Sequence, residues 1–542
     1  MKYIKSIFVS LVLSAATLTS CQDYLVDLNS NPNGIDPKTA NPNAVLANVL
    51  SATGMTITNL GYGDLAGVMQ HTQKDGWGSS HNEYDWGASN DWSGYYGILR
   101  NTKFVYDRST ELSYPLQQGV ALVMKSMVFG LITDLYGDAP YAEGVSGELG
   151  GDRYTFPKFD RQEDIYTGIL KDLEEANQIL SKSKAEYNST IEPVDMYYKG
   201  DPAKWRKLAN SLRLRYLMRI SEKKPDLAKT EIEKMLANPQ QYPLILSAQD
   251  DCNMPSWTPV FDVSESTYRR VKMCATLVEA MRAGKDPRLG VWAKKVQIPI
   301  AVRDSLPAGT DAIVNGVRYI SPDVLAAKNI PISELNQNRD YVGIPPAYMA
   351  PAVYNLSPDP NQASNNPHVS WLSDMYRVFN SPLLKSRLLS ASEVNFILAE
   401  AALKNWSVGK SAEAYYEEAI RQSLETWGVG AQFDAFIAQP AVAFKGTQQQ
   451  IIEQKWIASW QAAIESWADY KRTGFPKLTV GSAAKREVPP VRFYYMRDEQ
   501  NLNKPNVDEA LKRLEETPYT NPDGPNSAWS KPWVLQGTGK PW

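Results

Sequence analysis

The stretch Leu389-Ser390-Ala391-Ser392-Glu393-Val394-Asn395-Phe396-Ile397-Leu398-Ala399-Glu400-Ala401 decides the fold. Ser390 followed three residues later by Glu393 is a capping box, in which a hydroxyl and a carboxylate satisfy the first orphan N–H groups of a helix. Val394, Ile397, Leu398 and Ala401 then follow the i, i+3, i+4, i+7 spacing of one apolar helical face. A short break at 405–410 leads to a second helix around Ala412 to Trp427. Two amphipathic helices joined so closely must pack against each other, because neither buries its apolar face alone.

The same grammar extends outward. The pair is of roughly tetratricopeptide-repeat (TPR) length, and Ala414, Tyr415 and Ala419 resemble the packing residues of such repeats. Asp160 with Glu163 reads as a helix start, followed by Ile165, Ile169, Leu173, Ala176 and Leu180 on one face. Trp205, Leu208, Leu212, Tyr216 and Ile220 form another. A further helix is expected over Ile451 to Lys471, with Ile452, Trp456, Trp460, Ala463, Trp467 and Tyr470 on a stripe that reads as core.

Three regions break the pattern. Residues 290–385 carry prolines at Pro299, Pro307, Pro322, Pro331, Pro345, Pro346, Pro351, Pro358, Pro360, Pro367 and Pro382, a density that forbids long helices. Inside it, Asn315-Gly316 between β-prone runs predicts a hairpin. Residues 71–96 are rich in glycine and aromatics, and 518–542 is irregular with Trp529, Trp533 and Trp542. The expectation is a helical scaffold with long loops, where binding residues concentrate.

The start of the chain has its own logic. A basic beginning (Lys2, Lys5) and an apolar run from Ile7 to Leu18 lead to Leu18-Thr19-Ser20-Cys21. The run is too short to span a bilayer and fits a signal peptide over 1–20. Small residues before a cysteine resemble a bacterial lipobox, which implies lipidation of Cys21. Residues 21–34, with Asp27-Leu28-Asn29-Ser30-Asn31-Pro32-Asn33-Gly34, read as a tether. They are not a calcium loop, since Ala40 stands where the closing glutamate belongs. No later unbroken apolar run approaches ~20 residues, so no other membrane span is expected.

With 57 basic and 60 acidic residues the formal charge is −3, becoming −5 once the leader takes Lys2 and Lys5 with it. A pI near 5.9 offers no footprint for nucleic acid. Cys252 and Cys274 remain in the mature chain; their pairing is open, and two cysteines are no disulfide framework. Only His71, His81 and His368 exist, without HExxH spacing, and there is no nucleophile elbow or P-loop. No metal and no cofactor are expected. A glycosidase needs only two well-placed carboxylates, so sequence leaves that alternative open.

Several segments together resemble the SusD/RagB family of Bacteroidetes surface lipoproteins. They are Thr133-Asp-Leu-Tyr-Gly-Asp-Ala-Pro-Tyr141, Trp205 to Arg219, Leu389 to Ala401, and Lys455-Trp-Ile-Ala…Glu465-Ser-Trp-Ala-Asp-Tyr-Lys-Arg-Thr-Gly474. Arg492-Phe-Tyr-Tyr-Met…Glu499…Asn503 adds a fifth, with Met496 where proline is usual. The resemblance implies a mainly α fold: a TPR-like helical-pair scaffold with long irregular loops and a few short strands, one domain over 35–542. It implies an outer-membrane, lipid-anchored binder facing the cell exterior. Such a binder captures oligosaccharides or polysaccharides for a SusC-like TonB-dependent transporter and catalyses nothing. A RagB-like peptide binder is the alternative. The motifs themselves read as structural, Asn210 and Arg213 as polar contacts between helices.

A sugar offers a weakly apolar face and a rim of hydroxyls, so a binder combines flat aromatics with Asn, Asp or Arg. Trp77, His81, Tyr84, Trp86, Asn90, Asp91 and Trp92 supply that mixture within one loop. The other reading of these tryptophans is anchorage of the loop in the core. Asp64 is a further rim candidate, and Tyr348, Trp371 and Arg377 come from the proline-rich region. An ion pair with Asp374 is the alternative for Arg377.

Overall fold

The computed structural model describes residues 39–76, 78–255, 270–358, 365–378 and 381–542. The expected leader, Cys21 and tether lie outside the described residues, as does Trp77.

Helix α1 (Pro42–Tyr62) starts at Asn41, whose side chain accepts from the Asn43 N–H, and at a proline that has no N–H to lose. It packs on α3 (Ser93–Glu111) and is followed by the short α2 (Asp64–Val68). Helix α3 pairs with α4 (Pro115–Tyr136), α4 with α5 (Gln162–Ile179), and α5 with α6 (Pro202–Arg219). Then α6 meets α7 (Pro225–Ala237) and α8 (Ala391–Leu403), and α8 meets α9 (Ala412–Thr426) and α10 (Gln448–Ala458). Finally α11 (Ala463–Thr473) returns to α1, α2 and α6, so the ends of the scaffold meet. Helix α4 is long and apolar enough to cross a bilayer, but 94% of its most apolar window is buried inside the protein. It is the central core helix.

The apolar faces lie where the spacing put them. Trp205, Leu208, Leu212, Tyr216 and Ile220 are all buried, as are Val394, Ile397, Leu398 and Ala401. Each fully buried Leu or Ile contributes about 1.5–3 kcal/mol relative to exposure. The Trp205 indole also donates to Asp195 Oδ2 at 2.8 Å, which satisfies its one polar atom.

Four of the five segments that carry the family resemblance meet in buried ion pairs. Arg215 of α6 grips Glu393 of α8 through Nε and Nη2, at 2.6 and 2.7 Å. Arg219 reaches Asp134 of α4 and Glu465 of α11. Arg472 clasps Glu400 through two 2.6 Å bonds, and Lys455 holds Asp469 at 2.7 Å. Charges this deep are tolerated when paired, so the network fixes α6 against α4, α8 and α11 at once. Asn210 and Arg213 take the interhelical contacts expected of them: Asn210 donates to Asn177 and the Pro243 carbonyl, Arg213 to Glu231.

Three local expectations are corrected. The box at Ser390 is only half formed. Ser390 accepts from the Glu393 N–H, but the Glu393 carboxylate turns to Arg215. Helix α5 is not capped by Asp160, which accepts from the Tyr141 and Ala142 N–H groups; Asp138 Oδ1 instead receives the Gln162 N–H at 2.8 Å. The helix expected over 451–471 is two, α10 and α11, parted at Gln461 with φ +74°. Trp456, Trp460, Trp467 and Tyr470 are nonetheless buried.

The strands are short: β1 (Thr72–Lys74) pairs with β3 (Val271–Met273), and β2 (Cys252–Pro255) with β7 (Lys385–Leu389). In the proline-rich region β4 (Ile300–Val302) runs parallel to β6 (Val317–Ile320), which forms a hairpin with β5 (Asp311–Val314). Asn315 and Gly316 take φ of +49° and +76° at its turn, the left-handed pair that a two-residue hairpin demands. Cys252 and Cys274 are buried free thiols.

Candidate functional site

A cavity of about 490 Å³ opens where the end of α1, the start of α2 and the start of α3 come together. The chain turns sharply at Gly63, whose N–H bonds to the Asn59 carbonyl; a Cβ there would fall 2.4 Å from that oxygen. The turn sets Asp64 on one wall, and the loop before α3 sets Asn90 and Asp91 on another. Thr56, Asn59, Tyr95, Tyr136 and Phe493 complete the polar and aromatic lining.

The polar groups differ in how far they are already engaged. Asp91 is exposed and accepts from the Ser93 N–H at 2.8 Å and from the Ser93 hydroxyl. Asp64 accepts from Ser80 Oγ at 3.1 Å. The Asn90 Nδ2 and the Tyr136 Oη are buried and have no partner among the described residues. Burial pushes the Tyr95 and Tyr136 phenols up, with Asp91 adding to both, so each keeps its proton at neutral pH. The cavity therefore offers two carboxylates, an uncommitted amide and hydroxyls that can both give and accept, beside aromatic carbon.

The structure brings Asp64, Asn90 and Asp91 together on the cavity wall, which the other described candidates do not line. The expectation that Tyr84, Trp86 and Trp92 form an exposed stacking surface is corrected: all three are buried. Trp86 meets Phe493 edge-on at 4.6 Å, and Trp92 is boxed by Tyr136, Phe159 and Tyr96 at 5.1–5.5 Å. These rings anchor the loop to the core and have no face left for a sugar. His81 is fully buried, with Nε2 and Thr72 Oγ1 3.1 Å apart. Burial, helped by Lys74, pushes its pKa down to about 3, so it is neutral beside Asp64 despite a 4.0 Å approach. It is a structural residue here.

Tyr348, Trp371 and Arg377 lie away from the cavity. Tyr348 and Trp371 pack against a small satellite core around Val342, Ile344 and Tyr354, and the Trp371 indole donates to the Asn366 carbonyl. Arg377 Nη1 sits 4.0 Å from Asp374, the ion-pair alternative, and Lys294 also holds that acid.

Sequence reasoning missed Tyr95, Tyr136 and Phe493. Tyr136 belongs to the Asp134-Leu-Tyr-Gly-Asp138 motif and ends a core helix, so it read as packing. The only signal was that a phenol at a helix end needs a partner. Two other hollows, of about 300 and 690 Å³, are each crossed by an ion pair, Lys125 with Asp172 and Arg213 with Glu231.

The architecture is that of the SusD-like outer-membrane proteins. It matches a chitin-binding protein over 92% of this chain and 100% of that one, with 24% identity and a TM-score of 0.69. A chitin-binding SusD homologue from Flavobacterium johnsoniae matches over 91% and 99%, with 23% identity and a TM-score of 0.65. A SusD homologue from Bacteroides fragilis matches over 92% and 99%, with 21% identity and a TM-score of 0.66. At these identities the likeness speaks for the fold. No curated protein matches the chain. Residues 34–496 match the SusD-like family described as starch-binding and associating with the outer membrane, and the chain belongs to that family.

Proposed function

We propose that the protein is a cell-surface glycan-binding lipoprotein. It captures oligosaccharides in the cavity between α1 and α3 and passes them to a SusC-like TonB-dependent transporter. The observation that carries this reading is the unpartnered Tyr136 hydroxyl and Asn90 amide in a cavity shared with Asp64 and Asp91. Buried polar groups left unpaired cost about 1–3 kcal/mol each, a cost that a hydroxyl-rich ligand would repay. The family description and the chitin-binding relatives support a glycan as that ligand. In this reading Cys21 carries the lipid, residues 21–34 are slack, and 35–542 work as one binding domain that does not turn over its ligand.

Calorimetry against chitin-, starch- and cellulose-derived oligosaccharides and a set of oligopeptides tests the proposal. Binding to at least one glycan, weakened by Asp91→Ala, is expected. Binding to peptides alone would replace it with the RagB-like reading. Release of new reducing ends from a polysaccharide by pure protein would make the chain an enzyme.

A further inference from the structure

The cavity between α1 and α3 has a one-sided electrostatic character. Asp64 and Asp91 both line it, and no Lys, Arg or His stands among the described residues of its wall. Arg492 lies behind Tyr136, fully buried, and its Nε and Nη1 donate to the Tyr136 and Ser527 carbonyls and to Asn526. Lys485, on the far side of the loop, is committed to Asp85 at 2.8 Å. His81 beside Asp64 is neutral. Among the described residues neither carboxylate has a cationic partner within 4.0 Å; the imidazole of His81, 4.0 Å from Asp64, is neutral.

Two acids alone would not make a site. The second observation is Tyr136, fully buried, on the cavity wall beside Tyr95, its hydroxyl without a partner among the described residues and near enough to Asp91 to feel its charge. The cavity thus pairs an uncommitted hydroxyl with two carboxylates that lack countercharge.

We infer that the cavity selects glycans carrying free amino groups over their N-acetylated or neutral counterparts, and rejects uronic-acid chains. This rests on the glycan-binding reading of the same cavity and sharpens its ligand class. A protonated ring amine placed about 4 Å from one of these carboxylates gains about fivefold in affinity even at the dielectric of water, and a uronate carboxylate loses as much. An N-acetyl group keeps the hydrogen bonding but forgoes the charge.

The test is calorimetry with four hexamers, of glucosamine, N-acetylglucosamine, glucose and galacturonate. It runs at a pH that keeps ring amines protonated and carboxyls ionised, at low and high salt. The glucosamine chain is expected to bind about fivefold tighter than the N-acetylated one, with the gap shrinking at high salt. Asp64→Asn and Asp91→Asn keep an acceptor oxygen and remove the charge, so each is expected to narrow the gap. Asp107→Asn, in a surface pair with Lys103, should leave it. Melting curves establish that each variant is folded; should Asp91→Asn loosen the start of α3, Asp64→Asn carries the test alone. Neutral glycans binding as tightly as the amine would overturn the inference and leave the binding reading standing. Galacturonate binding most tightly would overturn it too. No binding by any hexamer would remove the glycan-binding reading and this inference with it.

Discussion

Arg219 donates to Glu465 at 2.6 Å across 246 residues of sequence, in a contact almost closed to solvent. Burial pushes the Glu465 carboxyl up, but Arg215 and Arg219 more than offset it and hold it below the usual carboxylate range. Removing one partner leaves an uncompensated buried charge. Glu465→Ala is therefore expected to cost about 3–5 kcal/mol in urea or guanidinium unfolding. Asp107→Asn, which breaks an exposed pair with Lys103, should stay within about 1 kcal/mol of wild type. Equal costs for the two would mean that the buried network does not tie the helices together.

Asp251 behaves in the opposite sense. Burial pushes its carboxyl up to about 7, although it accepts from the Ala391 N–H at the start of α8 and from Thr426. The unfolded chain loses this proton near 3.8, the folded chain near 7. Its contribution to stability is complete below the lower value, falls as pH rises between the two, and is gone above the upper. Denaturation midpoints at about pH 5 and about pH 8 should show Asp251→Asn losing less stability across the interval than wild type. Parallel behaviour of the two proteins would place the titration elsewhere.

Tyr136→Phe separates folding from binding. Its hydroxyl has no partner among the described residues, so removing it should leave the melting temperature unchanged or raise stability by up to about 1 kcal/mol. Glycan affinity should fall by about 3- to 10-fold, the worth of one hydrogen bond. Loss of stability with unchanged affinity would take this hydroxyl out of the site.

For Trp86 and Trp92 the expectation is reversed. Both rings are buried among aromatics, so Trp86→Ala or Trp92→Ala should destabilise the fold by about 3–5 kcal/mol. Variants that stay folded at low temperature should still bind glycan in calorimetry. Selective loss of binding at full stability would restore these tryptophans to the site.

What the sequence made legible was periodic or local. The Val394–Ala401 face, the Trp205–Ile220 face and the Asn315-Gly316 turn need only residues close in the chain, and each is present. The break at Gln461 was not legible, because Ser459-Trp460-Gln461-Ala462 holds neither glycine nor proline and the apolar stripe runs straight through it. Nor was the cap of α5, which comes from Asp138, 24 residues away, rather than from the adjacent Asp160. At the site, Asp64, Asn90 and Asp91 could be picked out as short polar residues in turns. Tyr136 could not, since its spacing on α4 is that of the core. Trp86 and Trp92 misled for one reason: a glycine-rich loop reads as surface, yet burying two large apolar rings also draws that loop inward.

Helix α1 adds a matter of distance. The chain enters it at Asn41, while Thr56, Asn59 and Leu60 in its last two turns line the cavity. At ~1.5 Å per residue, a helix of 21 residues carries the cavity about 20–30 Å from that entry point. Its first apolar contacts are fixed in the core, so it works as a rigid strut. The mouth of the cavity therefore keeps a constant separation from Asn41, however the helix as a whole is oriented.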